Sequence, residues 1–71
     1  MPMENQHIVN MANQIASFFE AYPDQAEAID GVSGHLKKFW SPKMRVKLKE
    51  IADQGDIDNI HHLVLDAIKL I

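Results

Sequence analysis

Apolar residues return at three- and four-residue steps along almost the whole chain, and no segment alternates with a period of two. The first pattern builds one face of a helix and the second builds a strand, so the expectation is an all-α fold. Ile8, Met11, Ala12, Ile15, Phe19 and Tyr22 fall on one face of a first helix, which Val9 and Phe18 widen. Ala26, Ile29, Val32, Leu36 and Phe39 repeat the pattern in a second. Met44, Leu48, Ile51 and Ala52 form a third stripe, and Ile57, Ile60, Leu63, Val64, Ala67, Ile68 and Ile71 a fourth. With 71 residues the chain has room for one domain, residues 1–71. The predicted architecture is a small bundle of four short helices, about 5–21, 24–40, 42–54 and 57–70.

Punctuation residues support these boundaries. Pro23 closes the first segment or opens the next, because it cannot donate an interior N–H. Asp24 with Glu27 three residues on resembles a capping box. Ser41-Pro42 reads as a cap followed by the first helical residue. Gly55 is placed to end the third helix in a left-handed cap, and Asp56 to cap the fourth. Gly31 and Gly34 fall inside the second helix, where each costs about 1 kcal/mol relative to Ala. They mark either local weakness or a close backbone approach. Neither sits in a phosphate-binding glycine frame.

Composition then removes whole classes of function. The chain has no cysteine, hence no disulfide scaffold, thiolate zinc site, iron–sulfur ligation or cysteine nucleophile. No apolar run approaches the ~20 residues of a membrane span, and Met1-Pro2-Met3-Glu4 lacks the features of a leader. A soluble, cytoplasmic protein is expected. Of the four histidines, His7 and His35 stand alone in sequence, while adjacent His61 and His62 diverge by about 100° on a helix and cannot chelate one ion together. Ser17 and Ser33 lack a strained turn or a triad frame. No catalytic residue, metal ligand or cofactor site is expected.

The charge pattern says more than the net charge of −3. Six of the seven basic residues, Lys37, Lys38, Lys43, Arg45, Lys47 and Lys49, share one thirteen-residue stretch, and no carboxylate falls between Gly31 and Lys49. Acidic residues precede and follow this basic elbow. Phe39 is expected to continue the core stripe, and Trp40, at the helix end, to project outward. As a solvated face the elbow needs no function. As a helix-turn-helix-like nucleic-acid surface it is poorly supported, because the pI is about 5.7 and base-reading side chains are scarce on the third helix. As a protein docking surface it offers Trp, Met and Arg within a rim of lysines. The candidate partner-binding residues are therefore Lys37, Lys38, Trp40, Lys43, Met44 and Arg45. Asn13 and Gln14, flanking the first stripe, are candidates for pairing with a partner or for solvent. Homodimerisation of the isolated chain is a further possibility.

Two of these segments also resemble a known family. Asn10-Met11-Ala12-Asn13-Gln14-Ile15 followed by Phe18-Phe19 resembles the opening helix of the delta subunit of NAD-dependent formate dehydrogenase. His35-Leu36-Lys37-Lys38-Phe39-Trp40 and then Ser41-Pro42-Lys43-Met44-Arg45 is similar to that family's second signature. The two blocks stand in the right order, and the likeness covers about residues 8–52. The resemblance implies an accessory component, without cofactors, of a soluble multi-subunit molybdenum- or tungsten-dependent enzyme. In such complexes the alpha subunit oxidises formate at a pterin-bound metal, and electrons pass through iron–sulfur clusters to a flavin that reduces NAD⁺. The expected partners are the larger subunits, with the catalytic alpha subunit foremost; no membrane and no nucleic acid is expected.

Overall fold

Helices α1 (Glu4–Phe19), α2 (Gln25–Phe39), α3 (Pro42–Asp53) and α4 (His62–Ala67) follow one another, and a single 3-10 turn (Ile68–Leu70) extends the last. They are seen in a computed structural model that describes residues 4–55 and 58–71. No strand occurs among the described residues. The all-α expectation is met, and the caps explain where the helices begin. Asp24 Oδ1 accepts from the Ala26 N–H at 2.9 Å to open α2, and Ser41 Oγ accepts from the Met44 N–H at 3.2 Å to open α3, with Pro42 behind it. Past α3, Gly55 adopts φ +90°, a conformation that costs other residues a Cβ clash.

The chain packs α1 against each of the other three helices, and α2 most extensively against α4. α2 returns along α1: Phe19, at the end of α1, meets Gly31 in mid-α2, while Met11 and Ile15 share a groove with His35 and Trp40 at the far end of α2. A Cβ on Gly31 would lie 2.4 Å from the Phe19 ring, whereas one on Gly34 would meet nothing within 4 Å. Of the two readings for these glycines, close approach holds for Gly31 and not for Gly34.

The core is built from Val9, Ala12 and Ala16 of α1, Ala28, Val32 and Leu36 of α2, Trp40, Leu48 and Ile51 around α3, and Ile60, Leu63, Val64 and Ala67 toward α4. In α2 the buried row runs Ala28, Val32, Leu36, Trp40, four residues at every step. This reverses the expectation for the neighbouring aromatics: Trp40 is 7% exposed and Phe39 71%. A step of three from Leu36 leads to Phe39 and a step of four to Trp40, so periodicity alone admits both. The helix stops at Phe39, and Trp40 leaves it with extended backbone (φ −91°, ψ 142°) while its N–H still donates to the Leu36 carbonyl. That break lets the indole fold back over the core.

The α1 stripe is likewise rotated from its expected centre. Small residues Ala12 and Ala16 are wholly buried, Ile8, Met11, Ile15 and Phe19 are half-buried, and Phe18 and Tyr22 are exposed.

The fourth helix is shorter than the expected 57–70. Asp56 and Ile57, and with them the expected Asp56 cap, lie outside the described residues. Residues 58–60 form a turn and bend, and α4 begins at His62. The cause is a set of competing hydrogen bonds. Asn13 Nδ2 donates to the Asn59 carbonyl at 2.8 Å, and Asn13 Oδ1 accepts from the His61 N–H at 2.9 Å. The backbone groups that would carry the helix toward its N-terminus are thus held by α1. His61 itself caps α4, its Nδ1 accepting from the Leu63 N–H at 3.1 Å. At the other end of the segment the Lys49 ammonium donates to the Ile71 carbonyl and ties the 3-10 turn to α3.

Candidate functional site: an open aromatic groove beside a divided basic elbow

The six elbow cations do not form one face. In an α-helix successive residues turn by about 100°, so Lys38 follows His35 along one edge of α2 while Lys37 lies on the opposite side from Phe39. Within α3, Lys43 and Lys47 share an edge by their four-residue spacing, and Arg45 and Lys49 share another. The first pair lines a concavity of about 770 Å³ with Ile8, Pro42, Met44, Val46 and Glu50. In the second pair Lys49 is engaged with Ile71. Arg45 is half-buried, and its Nε is shielded from solvent with no hydrogen-bond partner. Lys37, Lys38 and Lys43 are exposed, Met44 is half-buried, and Trp40 is in the core. Trp40 therefore does not project from the elbow.

What Trp40 does instead is floor a groove between α1 and α2. A concavity of about 490 Å³ is lined by Met11, Gln14, Ile15, Phe18, Phe19, His35 and Trp40. Phe18, 69% exposed, stands edge-on to Phe19 with ring centroids 5.0 Å apart. Across the groove the His35 ring packs on Phe39 at 4.8 Å. Four aromatic residues and two aliphatic ones thus meet along a surface open to solvent. The opposite wall is as unusual for what it lacks: from Asn5 to Phe19, α1 carries no Asp, Glu, Lys or Arg. A solvated helix face normally carries charge, whereas interface cores are depleted of it and enriched in aromatics and Met. The clustered charges of the elbow are the louder signal in the sequence, and this run is defined only by what it lacks. The missing charge over fifteen residues was the available signal.

Of the histidines and the amide pair, His61 and Asn13 have structural work. His61 Nδ1 is occupied as the α4 cap, and Nε2 faces Glu20 Oε2 at 3.3 Å, joining the end of α1 to the start of α4. His62 stacks on His61 at 4.6 Å, and no three of His, Asp and Glu converge as metal ligands among the described residues. Asn13, a candidate for pairing with a partner, turns inward to hold residues 59 and 61, while Gln14 stays exposed on the groove.

The match to a family model spans residues 7–68, under the description NADH-dependent formate dehydrogenase delta subunit FdsD. The chain belongs to that family. The match runs through all four helices and so extends beyond the two blocks that carry the sequence resemblance. No curated protein and no solved structure matches the chain. Neither glycine of α2 forms a strand-to-helix phosphate loop: Gly31 is closed over by Phe19, Gly34 is inside the helix, and no such loop occurs among the described residues. No helix among the described residues is long and apolar enough to cross a membrane.

Proposed function

We propose that this chain is a non-catalytic accessory subunit that supports assembly, stability or activity of a multi-subunit NAD-dependent formate dehydrogenase. It acts by docking on the larger subunits, with the catalytic alpha subunit as the principal contact. The observation that carries this reading is family membership over residues 7–68, nearly the whole bundle. Two features of the fold support it. His61, weighed as a metal ligand, and Asn13, weighed for pairing with a partner, are committed to holding the bundle together. The residues left uncommitted, Phe18, Phe39, Met11 and the lysines near them, are of the types that bury against protein. Of the elbow candidates, Lys43 and Met44 line the second concavity, Lys38 is exposed on α2, and Arg45, with an unsatisfied Nε, gains most from a partner carboxylate or carbonyl. Lys37 adds positive field from the other edge of α2. Trp40 contributes by supporting the groove from beneath.

The test is co-expression of the larger subunits with and without this chain. The proposal expects the tagged chain to co-purify with them, and the complex made without it to lose NAD-linked formate oxidation or to fall apart more readily. The chain alone should turn over neither formate nor NAD⁺. A complex equally active and equally durable without the chain would refute the accessory role.

A further inference from the structure

Ile8 and Met11 are one turn apart on α1, and each lines one of the two large concavities. The concavities are therefore neighbours along the same flank, with Trp40 in one and Met44 in the other. From Ile8 to Phe18 this flank runs about 15 Å at 1.5 Å per residue, the length of roughly three helical turns. Its charge is one-sided. The α1 wall is uncharged throughout, while the α3 end carries Lys43 and Lys47 against a single lining carboxylate, Glu50.

We infer that this flank of α1 is a docking groove for an amphipathic helix of a larger subunit, its apolar face laid along Met11, Ile15 and Phe18 and its carboxylates placed over Lys43 and Lys47. The inference rests on the accessory-subunit reading and adds to it the surface used and the chemistry of the segment that fills it. A small-molecule site would converge several polar groups on its ligand, and the aromatic half of the groove offers only Gln14 and His35. Nucleic acid would require cations along the length of the groove, and α1 has none. A second copy of this chain, laid antiparallel, would set each Lys43–Lys47 end against the other's Phe18 end, where no carboxylate lines the groove, and leave the cations without partners in it. A helix with acidic residues at one end satisfies both halves, in the manner of other helix-in-groove complexes.

The decisive experiment places a photo-reactive benzoylphenylalanine at position 18 in the assembled complex and sequences the cross-linked peptide. The expected product joins this chain to a larger subunit, within a segment whose apolar residues recur at three- and four-residue steps beside Asp or Glu. A cross-link to a second copy of the chain, or to a segment without carboxylates, overturns the inference. Phe18→Asp should lower recovery with the larger subunits at least tenfold while leaving the melting temperature of the isolated chain within about 2 °C, because the side chain is mostly exposed. Recovery within twofold of wild type overturns the groove and leaves the accessory role standing, whereas failure of the wild-type chain to co-purify refutes the accessory role itself. Lys43→Glu combined with Lys47→Glu should slow association and reduce its salt dependence, and an unchanged salt dependence would contradict the charge assignment.

Discussion

The two flanks of α1 are made from the same helix and meet different fates. On the inner flank Val9, Ala12 and Ala16 are sealed, and Asn13 fastens the approach to α4 with two hydrogen bonds. On the outer flank Met11 and Ile15 are half-covered and Phe18 stands in solvent. The apolar arc of α1 is wider than its own bundle can close over. A helix that needed only to fold here would carry charge on its outer flank, and this excess apolar surface is what the proposed docking on another protein would cover.

The contrast can be broken most forcefully at the adjacent aromatics. Trp40→Ala should cost about 3–5 kcal/mol in a denaturant titration, because it empties the core between α1 and α2. Phe39→Ala should stay within about 0.5 kcal/mol of wild type, since that ring is largely exposed. Equal losses would mean that the inner and outer surfaces are not distinct. Next in size, Asn13→Ala withdraws a donor and an acceptor from residues 59 and 61 and should cost about 1–3 kcal/mol. Amide exchange should then accelerate first at the start of α4.

The glycines sharpen the comparison along α2. Gly31→Ala forces a methyl into the Phe19 ring and should destabilise by about 1–3 kcal/mol, provided the ring cannot retreat from its contacts with Phe18 and Tyr22. Gly34→Ala has open space and should stabilise by about 0.5–1 kcal/mol. Thermal melts of the two variants should therefore shift in opposite directions. A common sign would show that α1 and α2 do not approach at Gly31.

Much of the scaffold is legible in the amino-acid sequence because its signals are local. Asp24, Ser41-Pro42 and Gly55 act within three residues of themselves, and each appears where that logic puts it. The phase of a stripe is a tertiary property. Three- and four-residue steps both satisfy a helix, so Leu36 points as well to Phe39 as to Trp40, and the choice is made by where α2 breaks. The start of α4 depends on Asn13, more than forty residues away in the chain, and on Glu20 facing His61. Such long-range pairings leave no trace in spacing. The elbow illustrates the same point for the candidate site: clustering in sequence suggested one basic face, and helical phase divides it into separate edges.

Hydroxyl-radical footprinting of the chain, free and then assembled with the larger subunits, puts the central claim to its most direct trial. Oxidation at Phe18 and Met11 should fall sharply on assembly, while Tyr22, also exposed but outside the groove, keeps its reactivity. Undiminished labelling of Phe18 and Met11 in an intact complex would show that the outer flank of α1 faces water there as well, and the account would be wrong.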